Sequence, residues 1–242
     1  MAIRTINYKN NDFNINYEIQ NPNNATDLII LHGWGSRKEI MRSSFKDSFN
    51  DFRTLYIDLP GFGKSSNDLI LNTSDYKNIV ELLLKELNFK KDIIMGHSFG
   101  GKIATLLNPK HLVLLSSAGI ITKKPLSIRA KIKLFKLLKP FGSQKLRSLF
   151  ASKDVDGMSE NMYETFKNVV DEDFSEIFKN FKNKATIFWG IDDSATPLES
   201  GKKIASLIDN STFYPLDGDH FFFLKNAKFI DQTIIKEQNS AK

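Results

Sequence analysis

The hexapeptide Gly96-His97-Ser98-Phe99-Gly100-Gly101 is the stretch that decides how this chain folds. It directly follows the apolar run 93–95 and precedes a segment with helical spacing. The pattern Gly-x-Ser-x-Gly in this context is typical of a sharp strand-to-helix turn, because glycine tolerates the backbone conformations that the turn needs. Such a turn exposes the Ser98 hydroxyl above the sheet, and the following helix directs backbone N–H groups toward an anion. The stretch therefore predicts a nucleophilic serine; the alternative is a glycine-rich turn with an idle serine.

Outward from this turn, short apolar runs alternate with segments of helical spacing. Strands are predicted at 28–31, 54–57, 93–95, 112–115, 186–189 and 212–214, after an N-terminal hairpin of 3–8 and 13–19. Helices are predicted near 37–49, 74–88, 99–107, 198–208 and 222–236. Continuous apolar strands of this kind are typical of a parallel sheet that is buried on both faces. We therefore expect a doubly wound α/β domain.

The strand rhythm stops between residues 120 and 183, where the pattern is helical. Ile128, Ile132, Phe135 and Leu138 recur at helical spacing, with basic residues mostly on the opposite side. We interpret 120–183 as an inserted helical subdomain, a cap, and residues 1–119 with 184–242 as the α/β core.

Composition excludes several kinds of site. The chain has 242 residues, 41% of them hydrophobic and 26% charged, which is typical of a folded globular domain. It has no cysteine, which rules out disulfides, thiolate nucleophiles and cysteine-ligated metals. No metal or cofactor is expected; the stretch 61–65 ends like a phosphate-binding loop, but Asp58 stands where that loop needs glycine. Without a signal-peptide pattern or a long apolar run, we expect a cytoplasmic protein with no stable membrane anchor.

The net charge of +6 is unevenly distributed. Residues 121–153 contain ten basic side chains and no acidic one, so the rest of the chain is net negative. A local excess argues against nucleic-acid binding and for one basic face. This face suggests docking of an acidic carrier protein or steering of an anionic substrate; the alternative is a solvated lysine-rich surface.

A serine hydroxyl needs a base to accept its proton, and after a turn of this kind the partners follow in the order serine, acid, histidine. Of the four histidines, only His220 lies beyond the candidate acids that follow Ser98. It sits in a loop after the last predicted strand. A surface or packing role is expected for His97 and His111.

The acid is expected in the loop after the strand 186–189, where the carboxyl end of a parallel strand meets the ligand-binding edge of the sheet. Asp192 and Asp193 both lie there. Asp193 is the preferred candidate because of its spacing from Gly190 and from Thr196-Pro197. A buried Asp193 would hold the His220 ring in the useful tautomer.

A tetrahedral oxyanion needs two preorganised N–H donors. The backbone N–H groups of Phe99, directly after the serine, and of Trp34, in the loop after the strand 28–31, are the candidates. His32 and Gly33 in the same loop, and Phe221 beside His220, are candidate substrate-pocket residues. Two alternatives stay open: the glycines of the loop serve only a tight turn, and Phe221 with its two neighbouring phenylalanines only begins a buried helix.

Together these motifs resemble the α/β-hydrolase superfamily. The segments that carry the resemblance follow one another in the order and approximate spacing of that family: His32-Gly33-Trp34-Gly35, Asp58-Leu59-Pro60-Gly61-Phe62-Gly63-Lys64-Ser65, Gly96-His97-Ser98-Phe99-Gly100-Gly101, the stretch 190–197 and His220. The resemblance implies an α/β-hydrolase fold, Ser98, Asp193 and His220 as catalytic residues, and a substrate pocket between core and cap.

The resemblance also narrows the chemistry. A serine at the nucleophile position disfavours the dehalogenase and epoxide hydrolase branches, which use aspartate. The chain is similar to carboxylesterases, including the pimeloyl-carrier-protein methyl esterases, and this implies a small-molecule ester or acyl substrate. Hydrolases of carbon-carbon bonds in meta-cleavage products are the alternative, but His97 and Phe221 stand where those enzymes typically have asparagine and tryptophan. A degenerate hydrolase fold that only binds a ligand is the non-enzymatic alternative.

Overall fold

The computed structural model describes residues 1–121 and 158–240, and helices and strands are numbered within these two ranges. The strands are β1 (Ala2–Tyr8), β2 (Asn11–Gln20), β3 (Thr26–Leu31), β4 (Phe52–Ile57), β5 (Ile93–His97), β6 (His111–Leu115), β7 (Lys184–Gly190) and β8 (Ser211–Leu216). Every strand that the sequence predicts is present, and the α/β prediction is confirmed.

These strands form one sheet in the order β1-β2-β4-β3-β5-β6-β7-β8. The N-terminal hairpin pairs antiparallel and joins β4 antiparallel, whereas all pairs from β4 to β8 are parallel. Because parallel neighbours end at the same edge, the loops that follow β3, β5, β7 and β8 lie along one side of the sheet.

The helices are α1 (Lys38–Ser44), α2 (Thr73–Glu86), α3 (Phe99–Leu107), α4 (Glu160–Val170), α5 (Ser175–Asn180), α6 (Leu198–Leu207) and α7 (Phe223–Asn239). Helix α1 is shorter than the helix 37–49 that the sequence predicts. It ends at Ser44, where Phe45 N–H closes the last turn on the Met41 carbonyl and Ser48 N–H bonds the Phe45 carbonyl. Phe45 and Phe49 are buried with their rings 5.1 Å apart, so packing into the core replaces the last predicted helical turn.

Apolar side chains cover both faces of the sheet. Along β3, Leu28 and Ile30 pack on one face while Ile29 and Leu31 pack on the other. The face with Ile29 and Leu31 is covered by α2, α3 and α6, and the opposite face by α1 and α7. Burial on both faces explains why the central strands read as continuous apolar runs.

The described end of the predicted insertion is helical and rests on the core. On α4, the Asn161 amide donates to the Asn67 carbonyl at 2.9 Å, and Leu71 N–H donates to Thr165 Oγ1 at 3.0 Å. The Phe166 ring lies 5.3 Å from that of Trp34. The predicted amphipathic helix with Ile128 and its basic face lie outside the described residues, so the cap as a subdomain stays a prediction.

In the two described ranges, no helix combines the length and apolar character that crossing a bilayer requires.

Candidate active site

The turn after β5 holds Ser98 in an unusual backbone conformation. Its φ is 50° and its ψ is −115°, a region that residues with a Cβ rarely occupy. The surroundings enforce this conformation: Ser98 N–H donates to the Leu115 carbonyl, and the Ser98 carbonyl accepts from Gly101 and Ala118 N–H groups. Ser98 itself is partly exposed, although both of its neighbours are buried. The serine hydroxyl is thus presented at the carboxyl edge of the sheet.

Close backbone packing explains the glycine two residues after the serine. A Cβ on Gly100 would come within 2.6 Å of the carbonyl oxygens of both Leu31 and His32. The start of α3 therefore lies directly against the loop that follows β3.

Asp193 and His220 form a hydrogen-bonded pair at the same edge. His220 Nδ1 lies 2.7 Å from Asp193 Oδ2, and the Asp193 side chain is completely buried. Since an ionised carboxylate only accepts, Nδ1 carries the proton and Nε2 is left as an acceptor. The structure thus brings together the predicted acid and base and fixes the tautomer that a general base needs.

Further hydrogen bonds keep the Asp193 carboxylate ionised. It accepts from the N–H groups of Ala195 and Thr196 and from Thr196 Oγ1, each at 2.8 Å. Burial by itself would raise the pKa of Asp193, but the bonds from His220 and Thr196 outweigh it and hold the pKa below its usual value. The sequence did not predict that the Thr196 side chain donates a hydrogen bond to Asp193, because the only signal was the spacing between the two residues.

The neighbouring Asp192 faces solvent. Its N–H bonds the Gly218 carbonyl, and the residue is exposed.

The loop after β3 brings the side chain of Trp34 against that of Phe99. The Trp34 ring packs edge-on against Phe99 at 5.5 Å, and a Cβ on Gly33 would lie 3.1 Å from Ser98 Cβ. Phe99 is the first residue of α3, so its N–H has no acceptor within the helix. The donor roles of Trp34 and Phe99 stay predictions.

The expectation that His32 lines the substrate pocket needs correction. Its side chain is fully buried, Nδ1 bonds the Gly33 carbonyl at 2.7 Å, and Nε2 accepts from Leu59 N–H at 3.0 Å. Burial lowers the pKa of His32 to about 4, so the ring is neutral at physiological pH. Both ring nitrogens of His32 bond to backbone groups, so the buried ring supports the conformation of the loop after β3.

The three phenylalanines after His220 divide between two environments. Phe222 and Phe223 are buried in the core at the start of α7, as the second of the two sequence interpretations expected. Phe221 is 37% exposed, with its ring 5.6 Å from that of His220. Of these three phenylalanines only Phe221 is exposed, so its role in a substrate pocket stays a prediction.

His97 contacts the main chain of His220, which the sequence did not predict. Its ring is buried, and Nε2 lies 2.9 Å from the carbonyl oxygen of His220, the residue that also binds Asp193. A packing role was expected, and no local pattern signalled a bond to a residue 123 positions away.

A parallel sheet that brings a serine, an aspartate and a histidine to one edge is the arrangement of the α/β-hydrolase fold. The chain belongs to this family: the family model described as alpha/beta hydrolase fold matches residues 27–176, more than half of the chain.

Relatives and solved structures agree with this assignment. An uncharacterized hydrolase of Bacillus subtilis, YugF, is 27% identical over 84% of this chain and 86% of its own length. A pimeloyl-[acyl-carrier protein] methyl ester esterase of Vibrio atlanticus is 31% identical over 43% of this chain and 39% of its own length. A meta-cleavage product hydrolase structure from Pseudomonas fluorescens shares the fold, with a TM-score of 0.72, 18% identity, and coverage of 99% of this chain and 98% of that one. The family model and the two sequence relatives support a hydrolase, and the solved structure supports the fold.

Proposed function

We propose that the protein is a serine hydrolase that cleaves a carboxylic ester or thioester of a small or acyl-chain substrate. The observation that carries this proposal is the 2.7 Å bond between His220 Nδ1 and the buried Asp193, at the sheet edge that also presents Ser98. A neutral imidazole held in this tautomer by a carboxylate is suited to accept a serine proton.

In this reaction the Ser98 oxygen attacks the carbonyl carbon while His220 Nε2 takes the hydroxyl proton. The resulting oxyanion accepts hydrogen bonds from the N–H groups of Trp34 and Phe99. The alcohol or thiol then leaves with the proton from His220, and Ser98 carries the acyl group. A water molecule then attacks the acyl carbon while His220 takes its proton; the bond to Ser98 breaks, the carboxylic acid leaves, and the proton passes from His220 to the Ser98 oxygen.

Two observations favour an ester over a carbon-carbon bond. The partial relatives include methyl ester esterases. In addition, His97 and Phe221 stand at the positions where carbon-carbon hydrolases typically have asparagine and tryptophan.

The test is hydrolysis of p-nitrophenyl esters from acetate to laurate, together with labelling by a fluorophosphonate probe. We expect wild type to be active and labelled, and Ser98→Ala to lose at least about 1,000-fold in kcat and all labelling. Ser206→Ala, on the outer side of α6, is the matched control and should be active. Wild type that is neither active nor labelled would contradict the proposal; labelling without ester turnover would point to the carbon-carbon substrates.

The basic segment supports a proposal about the partner. We infer that residues 121–153 attract an acidic carrier protein that delivers the acyl group, because these ten cations stand in a stretch without an acid. Turnover of an acyl group on an acidic acyl-carrier protein should then have a raised KM in the triple charge reversal of Lys131, Lys133 and Lys136. The free p-nitrophenyl ester should be hydrolysed as before. The control reverses three exposed lysines of the core, Lys46, Lys85 and Lys203, and an equal effect of this control on the carrier substrate would contradict the proposal.

A further inference from the structure

His97, the residue directly before Ser98, contacts three separate parts of the molecule. Its Nε2 is 2.9 Å from the His220 carbonyl oxygen, and its ring packs against Phe223 at 4.9 Å. On the remaining side, a Cβ on Gly33 would approach His97 Nδ1 to 2.9 Å. The His97 ring thus fills the space between the loop after β3, the turn at Ser98 and the loop that carries His220.

The hydrogen bond to His220 has a defined direction. A carbonyl oxygen only accepts, so His97 Nε2 carries the proton. The imidazole is therefore a fixed N–H donor aimed at the main chain of the proposed base. It is only 2% exposed, so this bond is shielded from competing water.

Few other bonds hold the backbone of the His220 loop at this point. Phe221 and Phe222 N–H groups bond to Asp219, within the loop itself, and Asp192 N–H bonds the Gly218 carbonyl two residues earlier. Asp193 Oδ2 at 2.7 Å and Thr196 Oγ1 at 3.3 Å both contact the His220 ring at Nδ1, so they hold one atom of the ring and leave the main chain unbonded. The bond from His97 fixes the main chain of the same residue.

We propose that His97 is a positioning residue for the reaction: it anchors the main chain of His220 to the turn that carries Ser98, and so sets the distance between base and nucleophile. The proposal rests on the proposed function of Ser98 and His220. The His97 ring also packs against the His220 ring, with the centroids 4.6 Å apart, so His97 acts through His220 and not on the substrate.

The charge state of His97 agrees with this role. Burial and the nearby positive charge of His220 lower the pKa of His97 to about 3. The ring therefore stays neutral while His220 carries the transferred proton, and no second cation opposes that proton.

The kinetic test compares two substitutions at this position. His97→Phe keeps an aromatic ring but has no donor, whereas His97→Gln can place an amide N–H near the position of Nε2. We expect His97→Phe to lower kcat on p-nitrophenyl acetate about 10- to 100-fold with KM changed less than threefold, and His97→Gln to recover most of the loss. Full activity in His97→Phe, or an equal loss in both variants, would overturn the proposal.

His111→Phe is the matched control. His111 is also buried and bonded through Nε2, to Thr186 at 2.8 Å, but it begins β6 at the opposite edge of the sheet. This variant should lose stability while kcat stays within about twofold of wild type. A loss of kcat as large as that of His97→Phe would show that replacing any buried histidine lowers the activity, and this would overturn the proposal.

Nitrogen NMR of the imidazole rings tests the anchor without any activity. The proposal requires the Nε2–H tautomer of His97 and no titration of this ring above about pH 5, whereas an Nδ1–H tautomer would overturn it. Wild type that is neither labelled by fluorophosphonate nor active on esters would contradict the proposed function. The NMR result would still test the bond between His97 and the His220 carbonyl.

Discussion

Two adjacent aspartates illustrate how residue identity and side-chain direction together make a site. Asp193 is buried against His220 and Thr196, whereas Asp192 is exposed one position earlier. The two carboxylates have the same chemistry, so their different environments alone separate a proposed catalytic acid from a surface residue.

Substitution of these aspartates should therefore have very different effects. Asp193→Asn keeps the shape but allows the wrong His220 tautomer, and we expect kcat on p-nitrophenyl esters to fall by about 10⁴-fold. Asp192→Asn should change kcat less than about twofold. Similar losses in both variants would contradict the assignment of Asp193.

Gly33 and Gly35 make a second comparison at this scale. A Cβ on Gly33 would press on His97 Nδ1 at 2.9 Å and on Ser98 Cβ at 3.1 Å, whereas a Cβ on Gly35 would meet nothing within 4 Å. We expect Gly33→Ala to lower kcat about 10- to 100-fold. Gly35 has a φ of +69°, so Gly35→Ala should instead cost about 1 kcal/mol of stability. Steady-state kinetics and urea denaturation measure these two effects, and an unchanged kcat in Gly33→Ala would contradict the importance of the contacts at Gly33.

At the scale of elements, a polar cluster far from the site attaches the C-terminal helix to the sheet. Glu237 on α7 accepts from Thr186 Oγ1 at 2.5 Å and pairs with Lys184 and His111, each at 3.3 Å. Burial alone would raise the pKa of Glu237, but the bonds from His111 and Thr186 and the charge of Lys184 lower it to about 2. The carboxylate is thus more stable ionised in the folded protein than in the unfolded chain.

This shift predicts a pH-dependent contribution to stability. A carboxyl pKa that is lowered on folding stabilises above the unfolded value of 4.5, and the contribution disappears as pH falls toward 2. Glu237→Gln should therefore cost about 1–2 kcal/mol in urea denaturation at pH 7, with the difference from wild type shrinking as pH 2 is approached. The exposed Glu199→Gln is the control, and a pH-independent difference for Glu237→Gln would contradict the role of its charge.

The whole molecule depends on burying the sheet from both sides. Each face has its own apolar cluster, and α7 closes one of them with Phe223, Ile230 and Ile234, all completely buried. The loop with His220 leads directly into α7, so the packing of this helix also supports the proposed active site.

Loss of this packing should lower global stability. Ile230→Ala removes buried methyl groups and leaves a cavity, for which we expect a loss of about 2–5 kcal/mol in the free energy of unfolding. Leu224→Ala, on the same helix but 53% exposed, should change it by less than about 0.5 kcal/mol. Equal effects in equilibrium urea denaturation would show that α7 does not close the core.

The sequence by itself determined the α/β architecture and the order of the strands along the chain. Continuous apolar runs, helical spacing and the Gly-x-Ser-x-Gly turn are local patterns, so they report local structure directly. The chain order of Ser98, Asp193 and His220 was likewise readable, because the fold requires that order. The helical pattern predicted too late an end for α1, because Phe45 and Phe49 pack into the core beyond the last helical turn.

Only the tertiary structure decided which side chains meet. The pairing of Asp193 with His220, the burial of His32 beneath its loop and the bond from His97 to the His220 carbonyl join residues from different strand ends. These contacts depend on which strands are neighbours in the sheet and on the direction of each side chain, and neither quantity has a local sequence signature. The three proposed catalytic residues were thus visible in the sequence, whereas the contacts of Asp193 and His220 exist only because β5, β6, β7 and β8 lie side by side.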